Sequence, residues 1–342
     1  MHAVLNIPHH FTKGRRTKDL VIITGSFCFY FIKQECMIKY IKEKILEDDV
    51  ADKTIKRKSL DVKVACLQMD VTIGSIEKNI KKSVGMINEA ADNGAVLIVM
   101  PEMANSGYNF DSREEAFSLA ENIDDSKSIK AWEKAAKDRN VYIVSGITEI
   151  AGGSLYNSAV LIGPAGLIGK YRKLHLWEEE FLWFEQGNLG LPVFNTPIGR
   201  IGIVICYDMW FPETFRILAA QGVDIVCIPT NWVSIDSLPD NMKNFGPVLA
   251  MAAAHSNGIY VAAADRVGTE RDMPFPGRSL IVRTAGIPIV GPVDDTEQII
   301  YGDCNFAKVR AHGTNKYNSS KKDRRLDVYD EFLGYSADKY KQ

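Results

Sequence analysis

A cysteine follows a short apolar run at the point where irregular sequence begins. The run Ile201 to Ile205 indicates a buried strand, and Cys206 follows it directly, ahead of a helix-like stretch from Glu213 to Gln221. A thiol at the carboxyl end of a strand can point into the crevice beyond the sheet, where the next backbone N–H groups are free to bind an oxyanion. Most free cysteines are small buried hydrophobic residues, but this placement also fits a nucleophile.

Three other charged side chains stand where an apolar element gives way to irregular sequence. Glu102 follows VLIVMP, Lys173 ends LIGKYRK, and Glu180 lies within HLWEEEFLWFEQG. Amide hydrolysis by a thiol needs a base for the S–H proton, a cation or N–H group for the oxyanion, and an acid for the departing amine. A Glu, a Lys and a Cys can divide these tasks without a histidine. The Cys–His alternative has His175 and His255 available, and neither carries a recognisable partner motif.

The elements that must position these residues alternate between strands and helices from Asp61 onward. The predicted strands are 62–69, 96–100, 141–150, 154–163, 167–172, 201–205, 224–228, 259–264, 278–283 and 287–290. The predicted helices are a helix capped by Ser75 that runs to about Asp92, and 113–121, 127–138, 213–221 and 244–257. The alternation favours an α/β fold, and the Gly152-Gly153 hairpin indicates that its sheets are mixed.

Composition excludes several classes of function. Residues 61–342 carry 29 Lys and Arg against 36 Asp and Glu, which argues against a nucleic-acid-binding surface. The six cysteines form no CxxC pair and have no histidine at metal-ligand spacing, so the sequence predicts neither a zinc site nor a disulfide framework. Because a reactive thiol must stay reduced, we expect a cytoplasmic protein.

Residues 1–60 differ from the rest of the chain. Basic residues precede the apolar run 20–32, which is the order of a signal peptide, but no small-residue cleavage site follows. The run is too short for an ordinary membrane-spanning helix. Export and a short membrane or partner-binding anchor remain alternatives, and we favour a poorly ordered extension. The expected domains are this extension, a catalytic domain over 61–310 and a charged C-terminal extension over 311–342, which we expect near a dimer interface.

Four motifs, taken together, resemble the nitrilase superfamily of carbon–nitrogen hydrolases. They are PEMANSGY (101–108), YRKLHL (171–176), EFLWFEQGN (180–188) and RIGIVICYDMWFPE (200–213). The resemblance covers roughly residues 61–310, with the motifs in the family's order. It implies a four-layer α-β-β-α sandwich with two mixed sheets that forms a homodimer, and it implies no metal or organic cofactor.

The resemblance also implies roles for individual residues. Cys206 matches the family's nucleophile, Glu102 its general base and Lys173 its oxyanion stabiliser, assisted by the backbone N–H of Tyr207. Glu180, seven residues before Gly187, matches the second glutamate, which positions the substrate. The residues expected to line a small pocket or to bind substrate there are Tyr108, Trp177, Tyr207, Asn231 and Trp232. Arg266 and Arg278 are candidates to bind a substrate carboxylate.

The sequence leaves the substrate open. The Tyr-Asp pair after Cys206 resembles amidase and carbamoylase branches, whereas many nitrilases look like Cys-Trp-Glu there. We therefore expect hydrolysis of a small amide, with a small aliphatic nitrile or an N-carbamoyl amine as alternative substrates. A catalytically idle dimeric scaffold is the alternative outside the enzymes.

Deleting residues 1–60 tests the assignment of an extension. We expect the truncated chain to fold and to release ammonia from its substrate at the rate of the full chain, because the predicted alternating elements begin at Asp61. Circular dichroism and a coupled ammonia assay check this. Loss of folded protein on deletion would contradict it.

Overall fold

The computed structural model describes residues 61–234, 244–310 and 317–333. The predicted extension over residues 1–60 lies outside the described residues. Of the predicted C-terminal extension, residues 317–333 are described. No helix among the described residues is long and apolar enough to cross a membrane.

The strands of these ranges form two larger sheets and one two-stranded ribbon. In chain order they are β1 (Asp61–Gln68), β2 (Leu97–Val99), β3 (Tyr142–Ala151), β4 (Ser154–Gly163), β5 (Gly166–Arg172), β6 (Val193–Thr196), β7 (Gly199–Ile203), β8 (Ile225–Thr230), β9 (Tyr260–Asp265), β10 (Val267–Glu270), β11 (Met273–Pro276), β12 (Leu280–Val282), β13 (Pro288–Val290) and β14 (Gln298–Asn305). The first sheet has the order β14-β1-β2-β3-β4-β5 and the second β13-β12-β9-β8-β7-β6. The ribbon is β10-β11.

Both sheets are built on the same plan. Each has three parallel strands in the middle, β1-β2-β3 and β7-β8-β9, with antiparallel strands added on both sides. Most residues of these parallel strands are buried, as expected for strands covered on both faces, although β1 and β7 include the half-buried Lys63 and Arg200. The carboxyl ends of these strands lead into the segments that carry Glu102 and Cys206.

Helices cover the outer face of each sheet. The α-helices are α1 (Ile76–Asp92), α2 (Arg113–Leu119), α3 (Lys127–Arg139), α4 (Glu180–Trp183), α5 (Pro212–Ala220), α6 (Gly246–Asn257), α7 (Ala307–Arg310) and α8 (Leu326–Leu333). Ile87 of α1 and the fully buried Trp132 of α3 pack on one face of the first sheet, and the Trp132 indole N–H donates to Ser83 Oγ at 2.9 Å. Phe215 of α5 and Ala254 of α6 belong to the cluster that includes the second sheet.

The core lies between the two sheets. One continuous cluster of buried side chains includes Val64 and Val99 from the first sheet and Ile228 and Val261 from the second. The layers are therefore helix, sheet, sheet and helix, which confirms the predicted four-layer sandwich with two mixed sheets.

The segment before Cys206 differs from its prediction. The strand was expected over 201–205, but β7 ends at Ile203 and Cys206 begins a short 3-10 helix that ends at Trp210. The Val204 N–H still donates to the Cys227 C=O at 3.3 Å, and the next N–H, that of Ile205, donates instead to Asp208 Oδ2 at 2.9 Å. Cys206 has a left-handed backbone, with φ of 43°, which is uncommon outside glycine and concentrates at functional sites.

Two other features were predicted incorrectly or missed. Ser75 stands at the start of α1, but its side chain makes no capping hydrogen bond. Asn79 fastens this helix start instead, since its side chain pairs with both the N–H (3.0 Å) and the C=O (2.8 Å) of Thr72. Strands β6, β10, β11 and β14 were not predicted, although β14 pairs with β1 along its whole length.

The backbone around Glu102 depends on a glycine in the neighbouring strand. A Cβ on Gly146 would lie 2.5 Å from Glu102 Cα and 2.4 Å from the Met103 nitrogen, which no side-chain rotation could relieve. We expect Gly146→Ala to lower the free energy of unfolding by about 2 kcal/mol, as overpacking does, and to displace Glu102. The exposed Gly85 of α1 has open space around it, so Gly85→Ala should stabilise the protein by about 0.5–1 kcal/mol. Denaturant unfolding of both variants checks this, and equal stability of Gly146→Ala and wild type would contradict it.

Candidate active site

A buried lysine bonded to two glutamates forms the centre of the site. Lys173 follows the last residue of β5, and its Nζ donates to Glu102 Oε1 at 2.8 Å and to Glu180 Oε1 at 2.6 Å. The side chains of Lys173 and Glu102 are fully buried, and that of Glu180 is 3% exposed. Burying a charge is costly unless it is paired and hydrogen-bonded, and here the partners provide both. The structure thus brings Glu102 into contact with Lys173, which lies 71 residues later in the sequence, and Lys173 into contact with Glu180, seven residues later.

Two neutral side chains hold the glutamates in place. Asn157 of β4 donates to Glu102 Oε1 at 2.6 Å, and the Tyr108 hydroxyl donates to Glu180 Oε1 at 2.8 Å. The sequence analysis missed Asn157. The available signal was a polar amide in the middle of the apolar strand sequence LYNSAVLIG, where an unpaired amide would be costly.

A second buried ion pair fixes the loop that carries Tyr108. Glu270 Oε1 accepts the backbone N–H groups of Tyr108 at 2.8 Å and Asn109 at 2.6 Å, and its Oε2 accepts from Arg266 at 3.0 Å. Arg266 also lies over the Phe275 ring, with 4.1 Å from its guanidinium carbon to the ring centroid. The β10-β11 ribbon therefore supports the hydroxyl that reaches Glu180.

The Cys206 thiol lies close to this group. Burial and the Glu102 carboxylate raise the pKa of the thiol well above its usual value, while the Lys173 ammonium and donors from Thr230 and Asn231 act in the opposite direction. This environment therefore favours the neutral thiol, which would need a base before it could act as a nucleophile.

One oxygen of Glu102 is available for that task. Within the described part of the chain, the buried Oε2 of Glu102 has no hydrogen-bond partner, whereas Oε1 accepts from both Lys173 and Asn157. A carboxylate held on one oxygen and open on the other can accept a proton without losing its position.

Charges within the site also perturb the titration of Glu180 and Lys173. Burial raises the pKa of Glu180 to about 7, against the opposing effect of Lys173, and the Glu102 charge raises it further. Burial alone would lower the pKa of Lys173, but the Glu102 and Glu180 carboxylates raise it, so Lys173 stays an ammonium ion.

The acidic run around Glu180 is divided by burial. Glu178, Glu179 and Glu185 are exposed, and Glu180 points into the protein as the first residue of α4. The backbone C=O of Trp177 accepts the Glu180 N–H at 3.0 Å, which starts this helix.

The predicted pocket residues divide into two groups. Tyr108 and the half-buried Tyr207 lie at the site, and the Tyr207 ring contacts the ring of Trp210 at 5.6 Å between centroids. Asn231 and Trp232 are buried and bonded to protein atoms. The Asn231 amide donates to the backbone C=O of Glu102 at 3.0 Å, and the backbone N–H of Trp232 donates to Asp265 Oδ1 at 2.9 Å. Asn231 therefore supports the backbone of Glu102, while its Oδ1 and the Trp232 indole N–H have no hydrogen-bond partner among the described residues.

The two arginines suggested for a substrate carboxylate have described hydrogen bonds outside the Glu102, Lys173 and Glu180 group. Arg266 is fully buried and donates to Glu270 and to the Val71 C=O at 2.6 Å. Arg278 is exposed, and its guanidinium donates to the Val293 C=O at 3.3 Å. The described residues contain no group of three or more His, Cys, Asp or Glu side chains suited to a metal ion.

Comparisons with known proteins agree on one family. A family model described as carbon-nitrogen hydrolase matches residues 63–313. A nitrilase from Pyrococcus abyssi is 39% identical over 78% of this chain and 99% of its own length, and a citrullinase from Francisella tularensis is 30% identical over 80% and 98%. Among solved structures, a carbon-nitrogen hydrolase from Helicobacter pylori has a TM-score of 0.72 and 25% identity, over 80% of this chain and 98% of that one.

Removing the Tyr108 hydroxyl tests the electrostatics of Glu180. The Tyr108 hydrogen bond lowers the pKa of Glu180, so Tyr108→Phe should raise that pKa by about one unit. Glu180 accepts hydrogen bonds in its ionised form, so we expect activity to fall as the pH drops through about 7 in wild type. The variant should lose activity at a higher pH than wild type does. The pH dependence of kcat/KM checks this, and superimposable profiles would contradict it.

Proposed function

We propose that this chain, which belongs to the carbon–nitrogen hydrolase family, hydrolyses a small neutral amide or ureide through a thioester on Cys206. The family membership establishes a hydrolase of the nitrilase superfamily. The thioester mechanism, the residue roles and the substrate class are our proposal.

The buried Glu102 carboxylate beside the Cys206 thiol carries the proposal. Its Oε1 is fixed by Lys173 and Asn157, and its Oε2 has no partner among the described residues. Such a carboxylate suits a general base for a thiol whose pKa burial has raised.

The first half-reaction forms the thioester. Glu102 takes the S–H proton as the sulfur attacks the carbonyl carbon, and the carbonyl π electrons move onto the oxygen. The Lys173 ammonium and the Tyr207 N–H stabilise this oxyanion. The intermediate then collapses, the C–N bond breaks, and the leaving nitrogen takes the proton from Glu102 and departs as ammonia or an amine.

The second half-reaction restores the enzyme. Glu102, again ionised, removes a proton from water as the water oxygen attacks the thioester carbon. Collapse of this second intermediate breaks the C–S bond, and the sulfur recovers the proton from Glu102. The acid leaves, and Glu180 holds Lys173 in place during both steps through the 2.6 Å contact.

The charges of the described site favour a substrate without a carboxylate. Two glutamates surround one lysine at the centre, and both arginines considered for an acid group are bonded elsewhere. An anionic substrate would meet a net negative site, whereas a neutral amide or ureide would not. The name of the citrullinase relative supports a ureido group at the reacting end of the substrate only, because citrulline also carries an α-carboxylate.

A nitrile is the second candidate substrate. The observation that favours it is the 39% identity to a protein named nitrilase. The same thiol could add to a nitrile carbon, but the acid product would then require two water molecules in place of one. The Cys-Tyr-Asp sequence is our reason for placing amides first.

Assembly and location are also proposals. We propose a homodimer on the basis of the family resemblance. We propose the cytoplasm because the mechanism requires a reduced thiol.

Ammonia release by matched variants tests the proposed function. Wild type should release ammonia from short amides or N-carbamoyl amines, and Cys206→Ala should lose at least about 10⁴-fold in kcat. Glu102→Gln should lose about 10²–10⁴-fold, and Lys173→Met about 10²–10³-fold. As a matched control, Cys304→Ala removes a buried cysteine of β14 and should retain activity within about two-fold, as a substitution distant from the reaction does.

The outcomes separate the candidates. Release from amides or ureides by wild type alone supports the proposal. Release from nitriles alone would make the protein a nitrilase. Equal release by wild type and Cys206→Ala would contradict the thioester, and no release from any substrate would favour a protein without catalytic activity.

A further inference from the structure

We propose that Asp208 is a positioning residue that holds the Cys206 turn and the Lys173 strand end together as one rigid unit. Tyr171 and His175 are its partners on the Lys173 side. The inference deepens the proposed function, on which it rests for the roles of Cys206 and Lys173.

The need for such a residue follows from the topology. Lys173 follows β5 of the first sheet, and Cys206 follows β7 of the second. No strand pairing joins β5 to β7 in the described sheets, so side chains must set the separation of the two reactive groups. Close control matters because a misplacement of about 1 Å can cost roughly 10²-fold in rate.

On the nucleophile side, Asp208 closes a turn around Cys206. Its Oδ2 accepts the Ile205 N–H at 2.9 Å, and its own N–H donates to the Ile205 C=O at 2.9 Å. Both bonds span Cys206, whose left-handed backbone with φ of 43° needs such support. The carboxylate therefore stabilises the conformation that presents the thiol.

On the lysine side, Asp208 bonds to residues on both sides of Lys173. The Tyr171 hydroxyl donates to Oδ2 at 2.7 Å. The backbone N–H of His175 donates to Oδ1 at 3.1 Å, and the His175 ring nitrogen Nδ1 lies 2.8 Å from the same oxygen. Because an ionised carboxylate only accepts, Nδ1 carries the hydrogen. Lys173 is thus held between two anchored neighbours.

Burial makes these bonds difficult to replace. Asp208 and Tyr171 are fully buried, and the His175 ring stacks on Phe211 at 3.6 Å between centroids. Four donors converge on one buried carboxylate, and the buried Ile205 N–H and Tyr171 hydroxyl would be left unsatisfied at a cost if the carboxylate were removed. Asp208 acts through Cys206 and Lys173 and is distinct from the catalytic residues.

Three single variants test the inference. Asp208→Asn keeps the shape but offers one acceptor oxygen in place of two, so we expect kcat to fall about 10²-fold with KM changed less than about three-fold. Tyr171→Phe removes one hydroxyl and should lower kcat about ten-fold. Asp224→Asn is the matched control, since Asp224 is a buried carboxylate that accepts the Arg200 N–H (2.8 Å) at the opposite end of β7. We expect it to retain kcat within about two-fold.

A second measurement does not depend on the substrate. The rate of Cys206 alkylation by iodoacetamide reports the position and charge environment of the thiol, since Lys173 lowers the pKa of that thiol. We expect alkylation to slow about ten-fold in Asp208→Asn and to be unchanged in Asp224→Asn. If no substrate is turned over, the proposed function fails while the alkylation rates still test Asp208.

The outcomes that would overturn the inference are defined for folded protein, checked by circular dichroism and thermal unfolding. Alkylation of Cys206 in folded Asp208→Asn at the wild-type rate would overturn the inference. Equal losses of kcat in Asp208→Asn and Asp224→Asn would also overturn it, because the loss would then follow from removing any buried carboxylate. If Asp208→Asn does not fold, wild-type alkylation in Tyr171→Phe would overturn it, and slower alkylation there would support it.

Discussion

The structure depends on one buried cation, the Lys173 ammonium, which cannot be desolvated alone. Its two partners, Glu102 and Glu180, lie 2.8 and 2.6 Å from Nζ and compensate for the lost water. Two carboxylates at such a distance from one lysine would repel each other without it, so each of the three residues requires the other two. This mutual dependence explains why Asn157, Tyr108 and their supports are built around the group: every further donor reduces the cost of keeping two negative charges in a buried site.

Cys206, the proposed nucleophile, reaches this group from the other sheet. Glu102 and Lys173 follow strands of the first sheet, and Cys206 and Asn231 follow strands of the second, so the site exists only where the two sheets meet. The apolar core between the sheets holds them together. Apolar contacts are not directional, however, so a small displacement of one sheet against the other costs little free energy. Polar contacts between the sheets provide the direction. The Asn231 amide binds the Glu102 backbone, and Asp208 binds both sides of Lys173.

The sequence predicts best what is encoded locally. Glu102 and Cys206 were predicted to lie near strand ends because each follows an apolar run. The Gly152-Gly153 hairpin predicted the bounds of β3 and β4 to within one residue. Strand pairing between segments far apart in the sequence was not predictable. Strand β14 pairs with β1, which lies more than 200 residues earlier, and nothing in the mixed polar and apolar sequence of β14 indicates that partner. Arg266 is the clearest case in the site. A buried arginine and a surface arginine look alike in sequence, and only the ribbon β10-β11, with Glu270 at its turn, shows that this one is structural.

The Asp208 position changes how the Cys-Tyr-Asp sequence should be interpreted. The pattern was taken to favour amides over nitriles by resemblance, and the sequence alone gives the acidic residue no physical role. The carboxylate is fully buried, and its described hydrogen bonds all go to protein atoms around Cys206 and Lys173. Under the proposal that Asp208 is a positioning residue, any effect of this position on substrate choice would act through the angle and distance between the thiol and the ammonium group. A longer carboxylate there would have to move the turn, the strand end, or both, because the space between them is already filled by the Tyr171 and His175 contacts.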